Sequence, residues 1–409
     1  MSITSYPALV TLNEPISIGG TSADAFGRTR VSAPVTLFDS QNRYAKSADF
    51  DESLSGSATS THAPNESTVL LTVSTTSGDK VVRETKRVFA YQPGKSLLVM
   101  NTFVMPTTHV NLRCRVGFFG EQNGVFFERR GSLLRMVRRT YTSGGVVDNI
   151  EEQTAWNGDK LDGTGPSGIS IDTTKAQIFW QDFEWLGVGS VRTGFVINGK
   201  FIVCHTFNHA NILALVYMTT AMLPVRYEIE NLDTTGPSSR TMKQICSTVI
   251  SEGGYEKRVP LQTARRTAAA SVGTTVVPLL SLRLDSARLD SVVIPDGYSV
   301  LPIASASTTF EIQLIKNATL TSPSWAQTTS DNVEFDTSAT AVSGGTIVDS
   351  VYTVESNQTS DSVSNNRDYN FSMQFGRTLA GVSDIYTLAA RTLSGTQSAI
   401  ATFSFWDLT

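Results

Sequence analysis

The sequence predicts an all-β protein with three parts. These are an extended N-terminal arm, a central two-sheet jelly-roll-like sandwich and a smaller C-terminal β-sandwich. Three observations lead there. First, Gln177–Phe207 reads QIFWQDFEWLGVGSVRTGFVINGKFIVCHTF, a meander of aromatic and β-branched residues with no helical period. Its Asn198-Gly199 is a strong hairpin signal, because a type I′ turn needs positive φ at both central positions. Second, Gly-containing turns separate strand-like runs in the central part of the chain, and from Thr274 on turn residues recur every ten to fifteen positions, the spacing of short antiparallel strands. Third, the 409 residues are 40% hydrophobic but only 17% charged, below the ~25% of an average globular protein.

Residues 1–66 form the expected arm. They are rich in Ser, Thr, Asp, Ala and Gly, and apolar residues come in brief clusters such as Val35/Leu37/Phe38. So few large apolar side chains cannot build an independent core. Within FGRTRVSAPVTLFDS, Arg28 and Arg30 share one face of an extended chain, and Pro34 blocks a helix. Phe26, Arg28, Arg30, Pro34 and Phe38 are the candidate subunit-interface residues, with the arginines available to a neighbour's carboxylates. Packing of the stretch on its own domain is the competing expectation.

Residues 67–258 read as one β domain of roughly eleven strands. They include Thr68–Val73, Lys80–Tyr91, Ser96–Val104, Leu112–Phe119, Val125–Glu128, Leu133–Tyr141, Leu213–Thr219, Arg226–Asn231 and Met242–Ser251. Asn157–Gly168 holds too many turn formers for anything but a long loop. Trp180 and Phe183 differ in strand parity, so they cannot share a face, whereas Phe195 and Ile197 are expected to face the core. Residues 259–273 read as a linker or one short helix. Residues 274–409 then form the second β domain, with Pro295-Asp296-Gly297 as a turn and Asp368–Phe375 as a strand. Phe403, Phe405 and Trp406 should pin the C-terminus.

The chemistry-bearing residues are sparse. Cys114, Cys204 and Cys246 are widely spaced, which fits reduced, buried thiols rather than a disulfide framework. Cys204, His205 and His209 have metal-like spacing, but on a strand running into a loop they do not share a face, so no metal site is expected. Asp182 and Glu184, set amid Trp180 and Trp185, have the composition of a sugar-cleaving cleft, and Glu228 and Glu230 repeat the spacing. A solvent-facing polar row on a half-buried strand explains both pairs equally. No G-x-S-x-G elbow is present, and Asp162–Gly168 lacks the ending of a phosphate loop. No catalytic residue or cofactor is therefore assigned. A net charge of −4 without a basic domain argues against nucleic acid as a partner. No apolar run reaches the ~18 residues that span a bilayer, so no membrane insertion is expected.

Several whole segments are similar to a recurrent structural protein of tailed bacteriophages. They are FGRTRVSAPVTLFDS, VVRETKRVFAYQPGKSLLVMNTFVM, DKLDGTGPSG, FEWLGVGSVRTGFVINGKF, RYEIEN…QICSTVISEGGYE and EIQLIKNATLTSPSW…VEFDTSATAVSGGTIVDS. The meander around Asn198-Gly199 also resembles the concanavalin or laminin-G sandwich, a likeness of architecture that transfers no site. The phage resemblance implies a non-enzymatic virion component, made in the host cytoplasm and assembled as a homo-oligomer with other virion proteins. A tail-associated place (fibre, adaptor or baseplate-proximal) is the leading expectation, and capsid decoration the alternative within the particle. From a different class come a carbohydrate-binding receptor module or a polysaccharide depolymerase. There Trp180 and Trp185 would contact host surface glycan.

Overall fold

The computed structural model describes residues 33–234, 238–303, 305, 307–355, 363–365, 369 and 371–409. Phe26, Arg28 and Arg30 lie outside them. Strand is the dominant regular structure of the described chain, with two single-turn 3₁₀ segments and no α-helix. Strands are numbered in chain order.

Two sheets make the central domain. One runs β13 (Lys200–Phe207), β12 (Val191–Ile197), β11 (Gln177–Phe183), β6 (Leu97–Val104), β15 (Arg240–Ser251), β4 (Thr68–Val73) and β3 (Thr59–Ala63). Its eighth strand, β1 (Val35–Ser40), pairs with the second half of β15. The opposing sheet has seven strands, β10 (Val147–Glu152), β9 (Leu133–Thr140), β8 (Gly124–Arg130), β7 (Leu112–Phe119), β14 (Val225–Asn231), β5 (Lys80–Thr85) and β2 (Phe50–Ser55).

Alternate residues of the two sheets meet in one apolar core. Phe127 of β8 sits edge-on to Phe195 of β12 at 5.2 Å, with Phe179 of β11 5.8 Å away. Phe195 is fully buried and Ile197 packs partly buried on the same core, as alternation requires. Phe183 joins that core while Trp180 lies on the outer side of β11. Asn198 and Gly199 take φ of 52° and 74°, the I′ geometry read from their identity.

Several expectations differ from the fold. The stretch assigned to the arm is sandwich from β1 onward, and β1, β2 and β3 all pair with core strands. Phe38 is not at a surface. It is buried between Phe50 and Phe89, with ring centroids 5.9 and 5.0 Å away, which makes it a core residue of its own domain. Pro34 is exposed just before β1. Local composition hid β1 because its partner, β15, lies far along the chain.

The expected linker is instead β16 (Gln262–Val272), paired with β27 (Gln397–Asp407) around a bulge between Arg266 and Ala270. The Pro295-Asp296-Gly297 turn is instead a bulge inside β18 (Val293–Ile303), and 371–373 is a 3₁₀ turn rather than a strand. The Leu213–Thr219 strand is loop.

The second domain stacks two further sheets. One orders β16, β27, β18 and β25 (Val363–Asn365). The other orders β21 (Ala326–Gln327), β22 (Val333–Asp336), β17 (Val277–Leu284), β26 (Ile385–Thr392), β19 (Thr308–Lys316) and β24 (Thr346–Glu355). A small ribbon pairs β20 (Thr319–Thr321) with β23 (Ala341–Ser343). Phe403 and Phe405 are fully buried in its core. The two domains meet along Val88, Ala90 and Val292, covered by Met222, Tyr255, Phe371 and Leu408.

Candidate functional site

The outer face of the eight-stranded sheet carries the residues singled out from sequence. On β11, Ile178, Trp180 and Asp182 alternate outward, because Phe179, Gln181 and Phe183 turn inward. Gly194 of β12 lies opposite Trp180. A Cβ at Gly194 would fall 1.8 Å from the Ile202 carbonyl oxygen, so the irregular pairing with β13 requires glycine. The Trp180 indole is 3% exposed, and Phe201 stands edge-on to it at 5.3 Å. Phe201 is 53% exposed, so it is the ring that solvent and ligands meet.

Trp185 belongs elsewhere. It is half-buried, edge-on to Tyr91 at 6.2 Å, and its indole N–H donates to the Met218 carbonyl at 3.2 Å. The hydrogen bond ties the loop after β11 to the loop before β14, and the ring contact ties it to the segment between β5 and β6.

Asp182 and Glu184 share one open groove of about 490 Å³ with Lys95, Arg192 and Glu252. The Arg192 guanidinium donates to the Asp182 carboxylate across the β11–β12 ladder, through Nε at 2.8 Å and through Nη2. Glu184 is exposed beyond the strand end. The groove can therefore accept hydrogen bonds from hydroxyls and donate to them, on the same sheet face as the exposed Phe201 ring.

The second carboxylate row differs from its expectation. Glu228 is 1% exposed and not solvated. It lies on the outer face of the seven-stranded sheet, where its neighbours form a grid of ions. Arg115 donates to one Glu228 oxygen and Arg226 to the other at 2.9 Å, with Lys80 3.3 Å away. Arg226 also donates to Glu84 at 2.9 Å and Glu121 at 2.7 Å. Burial alone would raise the Glu228 carboxyl, but Arg115, Arg226 and Lys80 outweigh it and hold it well below the usual carboxylate range. Beneath this grid lies an apolar layer of Phe119, Phe126 and Val137. The Arg115, Arg139 and Arg226 guanidinium carbons sit 5.3–5.9 Å from those two ring centroids. Alternation predicts that this face is polar; it does not reveal that arginines roof it and close it to solvent.

The Cys-His string also separates. His205 accepts the Asn157 backbone N–H at 3.4 Å and packs on Phe207. His209 bonds the Gly189 carbonyl through Nδ1 and stacks on Tyr217 at 3.9 Å. Burial brings each imidazole down to about 4, so both are neutral near neutral pH. Cys204 is buried, and its thiol is pushed up to about 12 by burial. Among the described residues no cluster of three His, Cys, Asp or Glu could hold a metal ion. None of the described helices is long and apolar enough to cross a membrane. Asn157–Gly168 is ordered around Asp159, whose carboxylate accepts the backbone N–H groups of Leu161 at 2.9 Å and Ser167 at 2.6 Å.

No protein-family model and no curated protein matches the sequence. Solved structures of related outline include a Bacillus licheniformis β-glucanase, at 8% identity and a TM-score of 0.34 over 52% of this chain and 96% of that one. The carbohydrate recognition domain of Emp47p aligns at 8% identity and 0.36, over 53% of this chain and 96% of its own. A carbohydrate esterase from the Shiga toxin-encoding bacteriophage phi24B aligns at 11% identity and 0.32, over 54% and 100%. Likeness of this degree assigns neither activity nor ligand.

Proposed function

We propose that this chain is a non-enzymatic β-sandwich protein of a bacteriophage particle that contacts host surface glycan. The observation that carries the glycan reading is the exposed Phe201 ring, buttressed by buried Trp180, on the same sheet face as the Asp182/Arg192 groove. An exposed ring suits the apolar C–H face of one pyranose, and the charged pair on the same face, opposite positions four residues further along β12, suits the hydroxyls of another sugar in the same oligosaccharide. Cleavage would need two carboxyl groups with opposed protonation states across a cleft. Instead, Asp182 is tied to Arg192 and Glu228 is enclosed by arginines. The virion part rests on the resemblance of FGRTRVSAPVTLFDS and the other segments to phage structural proteins. Homo-oligomeric assembly and a tail-associated place, with capsid decoration as its rival, belong to the same proposal.

One experiment separates binding from turnover. Purified protein is incubated with host polysaccharide, and both retention and released sugar are measured. Wild type should be retained without releasing sugar, and Phe201→Ala should lose retention. Release of sugar that disappears in an Asp182→Asn/Glu184→Gln double variant would establish the depolymerase instead. Cryo-EM of intact particles places the protein on tail or capsid, and its absence from particles would refute the virion reading.

A further inference from the structure

A second cavity lies at the β9–β10 edge of the seven-stranded sheet. It has a volume of about 350 Å³ and opens where β9 and β10 meet the loop before β14. That volume falls in the range of small-molecule sites, roughly 300–1,000 Å³. Val147, Leu213, Leu215 and Val216 form its wall, and Arg138 and Tyr217 also line it. The wall is aliphatic and unusually open, for Leu215 is 67% exposed and Val147 and Val216 are each more than a third exposed.

Arg138 is the anomaly. Strand alternation puts it on the inward side of β9 with Met136, a core residue. The central domain pairs its other sheltered arginines: Arg83 with Glu52, Arg115 with Glu228, Arg135 with Glu128, Arg139 with Asp148. Arg129, without a carboxylate, donates to Thr173 and to the Pro106 carbonyl. Arg138 has no such acceptor among the described residues, and its Nε–H is buried without a partner. Burial already disfavours its charge, and Glu151 supplies only through-space attraction. Such a cation is costly unless something pairs with it. Behind it, Tyr217 is committed, since its hydroxyl donates to the Glu184 carbonyl at 2.8 Å and its ring stacks on His209.

We propose that this cavity binds a carboxylate carried on an aliphatic body, with the carboxylate on Arg138 and the body along Val147, Leu213, Leu215 and Val216. The open wall carries no free aromatic face, which favours an aliphatic chain over a sugar ring. That chemistry has two sources, a free aliphatic acid or the C-terminus of a peptide ending in an aliphatic residue.

Isothermal titration of the full chain tests this with octanoate, octanol, acetate, glucuronate and acetyl-Leu-Leu as free acid and as amide. Binding of octanoate, of the peptide acid, or of both supports the site, and the pattern identifies the source. Octanol, acetate and the amide should each bind at least about tenfold more weakly than the matching acid, the worth of one charge-assisted pair. Arg138→Gln should abolish octanoate or peptide binding while leaving the melting temperature unchanged or higher. Should that variant not fold, Leu215→Asp places a charge on the exposed wall and should weaken binding about tenfold or more with Arg138 intact. No binding of either acid, equal binding of octanol, stronger binding of glucuronate, or unchanged affinity in these variants would overturn the proposal.

Discussion

At the scale of single residues, burial and pairing decide what each polar group can do. Glu228 and Asp182 look alike in sequence, each two residues from another acid. Glu228 is enclosed by Arg115, Arg226 and Lys80, whereas Asp182 faces an open groove. Glu228→Gln should therefore cost about 3–5 kcal/mol near neutral pH, because it leaves buried guanidiniums without their counter-charge. The pH profile gives the sign. The Glu228 carboxyl is held below its ordinary value of 4.5, so its stabilisation is full above that value and is lost as pH falls below it. Denaturant titrations of both proteins should show the gap between wild type and variant narrowing below pH 4.5. The two histidines add an earlier loss. Burial lowers each from 6.5 to about 4, so the unfolded chain takes up more protons between those values and stability falls across that window. In the core, Phe195→Ala should cost roughly 3–5 kcal/mol, since Phe127 and Phe179 cannot close on the cavity it leaves. A loss under about 1 kcal/mol would contradict its burial.

At the scale of elements, two glycines of one hairpin serve different ends. Gly199 has φ of 74° with nothing near its absent Cβ, so Gly199→Ala meets backbone strain alone, about 1–2 kcal/mol. Gly194→Ala would drive a methyl into the Ile202 carbonyl and should destabilise far more. Equal melting temperatures for the two variants would refute the irregular β12–β13 pairing. The first glycine was legible, because Asn-Gly between alternating runs is a local code. The second was not, because its neighbour belongs to the next strand's backbone. The same division runs through the fold. Strand β12, which forms the Asn198-Gly199 hairpin with β13, reads cleanly from alternation and turn residues. Strand β1 pairs with β15 about 200 residues away, and β16 pairs with β27 at the far end of the chain, so neither shows in its own composition. The site divides likewise. The Asp182/Glu184 row was visible in the period of β11. Phe201 as the exposed ring, and Arg138 as the unpaired cation, depend on which side chains cover which, and no spacing encodes that.

At the scale of the molecule, two sandwiches with separate cores are joined by polar bonds set around the apolar contacts of Val88, Ala90 and Val292. Backbone and side chains alternate across this seam: the Arg377 N–H donates to the Lys86 carbonyl at 2.7 Å, the Leu379 N–H to the Asp51 carboxylate at 2.7 Å, and the Gln374 amide to the Val88 carbonyl at 2.8 Å. Arg87 returns a bond to the Phe371 carbonyl. Among the described residues, Arg377 is the one arginine of the second domain that reaches the ion grid of the first, donating to Glu84 at 2.7 Å while it also holds Asp290 at 3.0 Å. Burial lifts the Glu84 carboxyl, against the pull of Arg377 and Arg226. Removing Arg377 leaves Glu84 dependent on Arg226, which Glu228 and Glu121 already share. The coupling between domains should then weaken by about 3 kcal/mol, the usual consequence of stranding one partner of a sheltered pair. Scanning calorimetry checks this directly. Wild type should unfold in one transition, because neither domain opens without exposing the seam. Arg377→Ala should split it in two, with the central domain melting first because it keeps the uncompensated acid. A single transition at the wild-type temperature would show that the apolar contacts of Val88, Ala90 and Val292 suffice to couple the domains, and that the Glu84–Arg377 pair contributes nothing to the joint.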